Sequence, residues 1–467
     1  MAALRFWFSA PFRTRVTFDS SALEWSPADS AGAMAQAAAL VAEATGAACT
    51  PGIQAPQHDP EHRYATLSED ADQQFVTPLF EIAAPPALCK ALAEAMASAS
   101  GIAEPDLRID APATRIVVFD NTVAILEWGC VLECAGDRRA AALAGIDHAS
   151  FLASSAGVAW IQQQLMPALV RAVEQAFGRF DPVPAWPRWL ALPTARMRLR
   201  RRLALALRRP REATAFFDMP ATTGGNGLMW VSRILACPGP HASDAAWEWA
   251  GRPRPAPEAA DEDTRLCAGV GNSVLLSSDA GMADVVSAYR KLQYLYALLD
   301  IHGRNITRLY SGFLAQGHGV LASALQRLDR IQSHLNVVEA RTIDMFAGLQ
   351  GARARHCRAL SDAWDLPGKQ QGVHRKATIA KDMVERFAQR QSMKYQKIVQ
   401  VILAAVGVFA LADVVINLTA FSQSMEGRPN WGIIKAVRAV DADTLLTGTG
   451  MVLLLSIVIL GLLFRRG

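Results

Sequence analysis

Two predominantly apolar runs lie near the C-terminus: Ile398–Phe421, with 24 residues and a single charge, and Leu445–Phe464, with 20 residues and none. At about 1.5 Å of rise per residue, a helix of either length spans the roughly 30 Å hydrocarbon layer of a bilayer. A core helix of a soluble protein is a poor alternative for two such runs together. The sequence therefore predicts transmembrane helix 1 at 398–421, an outer loop at 422–444, transmembrane helix 2 at 445–464 and a tail at 465–467. Flanking bases set the orientation. Lys381, Arg386, Arg390, Lys394 and Lys397 precede the first run, and Arg465 and Arg466 follow the second. The segment between them carries three bases (Arg428, Lys435, Arg438) and three acids. By the positive-inside bias, both termini face the cytoplasm of a bacterial inner (cell) membrane, with the lipid bilayer as the first partner.

The rest of the chain is too long for one core, so further structural units are expected. A hydrophobic fraction of 51% with 19% charged residues excludes a mainly disordered chain. The N-terminal aromatic trio Phe6-Trp7-Phe8 is flanked by Arg5 and Arg13, which leaves no signal-peptide core. The absence of acids before Asp19 keeps a transit peptide as a weaker reading. Seven cysteines (Cys49, Cys89, Cys130, Cys134, Cys237, Cys267, Cys357) all precede the first run. An odd number without a CxxC pair suits reduced thiols in cytosol. Cys130 and Cys134 would share one face of a strand, as packing residues rather than ligands.

Residues 1–280 read as a cytosolic domain of α/β or α+β class with a mixed sheet. Strands are predicted at Leu4–Ser9, Thr14–Asp19, Arg115–Phe119, Thr122–Cys134, Leu228–Cys237 and Val270–Ser277, with a hairpin turn at Asp120-Asn121. Helices are predicted at Ser30–Thr45, Pro86–Ser100 and Asp147–Phe177, and an exposed loop at Pro238–Asp263. Residues 283–397 read as a long-helix stalk, interrupted at Gly317-His318-Gly319 and broken at Leu366-Pro367-Gly368. Its last helix, beginning near Val373, has no Pro or Gly before Gly407 and should run into transmembrane helix 1. Ala380, Val384, Phe387, Gln391, Tyr395 and Ile398 recur at helical spacing and offer a seam to another helix or another subunit.

Asp413 stands out chemically. An ionised carboxylate near a bilayer centre costs about 2.5–3.5 kcal/mol on insertion scales, so it seldom faces lipid. Asn417 and Ser424 fall on the same helical stripe, and Val399, Ile402 and Val406 continue it toward the cytoplasm. A bundle turning this face inward would have a polar outer half and an apolar constriction, as cation pores do. Packing of Asp413 against Thr447 or Thr449 is an equally open reading.

Arg196–Arg211 holds eight arginines and no acid. Arg198, Arg201, Arg202, Arg208 and Arg209 surround Leu199, Leu203 and Leu207, which suits an anionic membrane surface or phosphate groups. A solvated basic face fits as well, and nucleic acid is not favoured as a partner. His58-Asp59-Pro60-Glu61-His62 has ligand types but lies in a loop-like context without a CxxC or HExxH. His302, His318 and His334 recur every sixteen residues, a rotation of about 160° on one helix, and so should not converge. Thr223–Gly227 is glycine-rich without the Lys-Ser/Thr of a P-loop. No nucleophile–base signature is found, so an enzyme is not expected. No metal ligands are assigned.

The order of these parts resembles the CorA family of divalent-cation channels: a cytosolic α/β domain, long helices, one of them continuous into the first span, a short outer loop and a second span. The resemblance implies a homopentamer whose first span lines the pore through Asp413, Asn417 and Ser424. It also implies an inorganic cation, such as divalent magnesium, as the transported partner. The family's Gly-Met-Asn is replaced here by Ala420-Phe421-Ser422-Gln423-Ser424-Met425-Glu426-Gly427, which implies a non-standard selectivity. The alternative from a different class is a membrane-anchored sensor or effector module whose two spans only anchor and oligomerise it.

Overall fold

The structure, a computed structural model, describes residues 2–14, 27–52, 78–100, 107–119, 122–134, 139–178, 227–237, 242–251, 259–260, 264–277, 282–316 and 321–424, together with isolated positions between 432 and 455. The chain divides into two compact units, Met1–Lys381 and Asp382–Gly467.

The first unit is built on a mixed nine-stranded sheet. In chain order the strands are β1 (Ala2–Arg13), β2 (Cys49–Pro51), β3 (Phe80–Ala83), β4 (Leu107–Val118), β5 (Val123–Cys134), β6 (Ser232–Cys237), β7 (Ala259–Ala260), β8 (Thr264–Cys267) and β9 (Asn272–Ser277). Their order across the sheet is β2-β3-β4-β5-β1-β6-β9-β8-β7. All neighbours are antiparallel except β6 and β9, which are parallel. The helices are α1 (Pro27–Thr45), α2 (Pro86–Ser100), α3 (Arg139–Trp160), α4 (Met166–Gly178), α5 (Asp244–Trp249), α6 (Met282–Gln316), α7 (Leu321–Gly348), α8 (Gly351–Ala363) and α9 (Leu366–Ser424).

Side chains alternate faces along a strand, and this alternation makes two buried layers. Phe6, Phe8, Ala10 and Phe12 of β1 join Ile116 and Val118 of β4 and Leu126, Trp128 and Leu132 of β5 in one apolar core with α1 to α4. Leu88, Leu92 and Met96 supply that core from a single stripe of α2, each contributing about 1.5–3 kcal/mol by burial. Gly157 lets α3 lie close, because a Cβ there would fall 2.9 Å from Leu92 and from Leu126. The intervening residues face α6 on the other side: Trp7 meets Tyr289 edge-on at 5.7 Å between ring centres, and Glu127 meets Arg290.

Several elements differ from the sequence expectations. A single strand, Ala2–Arg13, replaces the shorter opening strand, and Pro11 lies within it. The missing N–H of Pro11 falls beyond the β6 ladder, which covers Arg5–Ser9. Of the predicted second opening strand, residues 15–19 lie outside the described residues. The helix expected at Asp147–Phe177 begins at Arg139 and is interrupted by a π-turn, Ile161–Leu165. Pro167, two residues past the end of that turn, cannot donate to the regular ladder. The loop expected at Pro238–Asp263 contains α5, capped by Ser243, whose hydroxyl accepts the Ala246 N–H at 3.3 Å, and the strand β7. The predicted helix up to Trp364 is broken between α7 and α8.

Leu366-Pro367-Gly368 does not break the chain: it opens α9. Asp365, at φ 48°, caps the helix by accepting the Gly368 N–H at 3.2 Å. In a first turn Pro367 lacks only an N–H that has no helical partner. The histidines also depart from expectation. His302 of α6 and His334 of α7 sit on separate helices packed side by side, and their Nε2 and Nδ1 atoms approach to 2.8 Å. The one-helix rotation does not apply across the break between α6 and α7.

Candidate functional site

α9 begins in the first unit and continues unbroken through 59 residues. Its most apolar 18-residue stretch has mean hydropathy 2.5, and none of that stretch is buried in the single chain. By length and composition it is the one helix among the described residues able to cross a bilayer. Along the predicted seam, Ala380 and Val384 are buried, while Tyr395 is 60% and Ile398 40% exposed. The apolar residues Val399, Ile402 and Val406 are likewise exposed.

Within this stretch Asn417 Nδ2 donates to Asp413 Oδ2 at 3.1 Å. The four-residue spacing puts both on one face, and the amide satisfies one carboxylate oxygen while the other stays available. Ser424 turns its hydroxyl to the Phe421 carbonyl at 2.9 Å, so it does not join the pair. Thr447 donates to the Asp443 carbonyl, and Thr449 lies outside the described residues. Of the second predicted span, residues 447–448, 450–452 and 454–455 are described, all helical.

The other sequence candidates fall outside the described residues: the arginines Arg198, Arg201, Arg202, Arg208 and Arg209, the His58–His62 segment and most of the Thr223–Gly227 run. Among the described residues no group of three or more His, Cys, Asp or Glu side chains could hold a metal ion. Cys49, Cys89, Cys130, Cys237, Cys267 and Cys357 are thiols, none in a disulfide. Burial pushes the Cys49 thiol up to about 12 and raises those of Cys89 and Cys130, which makes them poor nucleophiles.

Two charged arrangements in the first unit went unread in the sequence. The first locks α6 to the sheet. Arg290 donates through Nε and Nη2 to both oxygens of the fully buried Glu127, at 2.8 and 2.9 Å, and through Nη1 to Glu81 at 2.8 Å. Arg115 approaches Glu127 at 3.5 Å and Glu81 at 3.8 Å. Burial works against the Arg290 charge, yet Glu127 first and Glu81 second raise its pKa above the ordinary arginine value. Glu127, in the middle of the run Val123–Cys134 whose other glutamate (Glu133) stands at its exposed end, was the available signal, because a buried carboxylate requires a cation.

The second is an open cleft of about 720 Å³ between α6 and the start of α9. Asp300 accepts from Lys369 Nζ at 3.1 Å, and a Cβ at Gly303 would come within 3.4 Å of Val373. About a turn further along, Arg308 and Lys376 line the cleft. No protein-family model matches the chain, and no curated protein or solved structure matches it either. The likeness to the CorA family therefore rests on the order of parts along the sequence.

Proposed function

We propose that the chain is a homo-oligomeric membrane protein of CorA-like build that conducts or transports cations through a pore lined by α9. In this reading residues 398–421 and 445–464 both span the cell membrane, both termini are cytoplasmic, and five subunits form the ring by resemblance. The observation that carries the proposal is the Asp413–Asn417 pair inside an otherwise apolar stretch. A helix that merely anchors has no use for a carboxylate at that depth, whose insertion costs energy, whereas a ring of carboxylates concentrates cations. Asn417 would hold each carboxylate in one rotamer, and Val406, Ile402 and Val399 would form the apolar constriction below it. The altered sequence at 420–427 argues for a selectivity other than that of the Gly-Met-Asn members.

The test is cation flux in proteoliposomes holding the full chain. Asp413→Ala should lower flux by tenfold or more, with the oligomer intact by light scattering. Unchanged flux from an intact oligomer contradicts the proposal. A second reading, the membrane-anchored sensor or effector, is favoured by the cation-lined cleft of the first unit. Wild-type vesicles without flux, from a protein that binds a ligand in that cleft, would select it.

A further inference from the structure

The cleft between α6 and α9 has the composition of an anion site. Four cations line it, Arg304, Arg308, Lys369 and Lys376, against two carboxylates, Asp300 and Asp365. Both carboxylates are already engaged. Asp300 pairs by charge with Arg304 Nε at 2.7 Å, although its Oδ2 accepts no hydrogen bond there, and accepts from Lys369 Nζ at 3.1 Å, while Asp365 accepts the Gly368 N–H. Arg308 and Lys376 are left without an ion-pair partner among the described residues. Nη1 of Arg308 is moreover buried without a hydrogen-bond partner there. A guanidinium nitrogen out of water without an acceptor is costly, and an anion in the cleft relieves that cost.

The walls suit something larger than a single inorganic ion. Gly303, Gly368 and Gly372 put no side chain into the lining, and a Cβ at Gly372 would meet nothing within 4 Å. The opposite end of the cleft is aromatic, formed by Tyr296 and Trp364, whose rings meet edge-on with centres 6.4 Å apart. Lys369 Nζ sits 5.0 Å from the Tyr296 ring centre and so carries positive charge into that end as well. The volume lies in the range of sites for drug-sized ligands, roughly 300–1,000 Å³.

We propose that this cleft binds a phosphorylated small molecule of nucleotide size, its phosphates held by Arg308 and Lys376 and its organic part lying toward Tyr296 and Trp364. All of these residues belong to the first unit, so the proposal stands or falls independently of conduction. The test is calorimetric titration of the full chain in non-ionic detergent with ATP and with sodium pyrophosphate, each in EDTA, and with sodium sulfate at matched ionic strength. ATP should bind more tightly than pyrophosphate, and both at least tenfold more tightly than sulfate. Arg308→Gln and the exposed Lys376→Gln should each weaken ATP about tenfold or more, as expected for one charged hydrogen bond, and Arg308→Lys should restore part of the loss. Pyrophosphate binding as tightly as ATP would refute the organic-part contact. Affinity equal to that of sulfate, or unchanged in the folded Lys376→Gln protein, would overturn the site.

Discussion

Glu127 has no exposed side-chain surface and accepts two hydrogen bonds from the Arg290 guanidinium. Removing one partner of such a pair strands the other, which costs about 3–5 kcal/mol, whereas the net worth of the intact pair is much smaller. Glu127→Ala should therefore lower the stability of the detergent-solubilised protein by about that amount in a denaturant titration, even though Glu81 still contacts Arg290. A change below 1 kcal/mol would mean that the network does not lock α6 to the sheet. The acid itself carried a signal, since it interrupts the apolar stretch Val123–Leu132. Its partner was not, because Arg290 lies more than 160 residues away and only the folded sheet brings α6 over β5. Asp413 and Asn417 show the opposite case: a four-residue spacing on one helix sufficed to place them together.

At the scale of elements, helix boundaries with local signals were readable and those decided by packing were not. Pro86 marked the start of α2, and the predicted bounds Pro86–Ser100 agree with the structure. Pro367 misled because proline reads as a breaker, although it is ordinary within a first turn capped by Asp365. The contact of α6 with α7 was likewise invisible, since periodicity within one helix says nothing of its neighbour. That contact makes a pH prediction. Burial first, and His334 second, hold the His302 pKa well below its ordinary 6.5. The unfolded chain then binds the proton that the folded one refuses, so stability falls as pH drops below about 6.5, by up to about 1.4 kcal/mol per unit. Melting temperatures of the full chain between pH 8 and pH 5 should decline more steeply for the wild type than for His302→Gln. Parallel declines would show that the buried imidazole does not contribute.

For the whole molecule, the mixed sheet and the run of long helices followed from the alternation of strand and helix patterns, and the apolar stretch of α9 from composition alone. The strand order did not follow. β1 lies between β5 and β6, and β6 pairs with β9 in parallel, because the faces of distant strands match and not because neighbouring segments announce it. The cleft escaped notice for a related reason: its cations sit on two helices some sixty residues apart, each unremarkable on its own. Assembly is the scale at which the central claim is decided, since a single copy leaves Val399, Ile402, Val406 and Asp413 uncovered. Electron-microscopic imaging of the full chain in lipid nanodiscs tests it most directly. The account predicts a symmetric ring of subunits, five by resemblance, with Asp413 of each α9 facing the central axis. A monomer, or a ring in which Asp413 faces away from the axis, would contradict it.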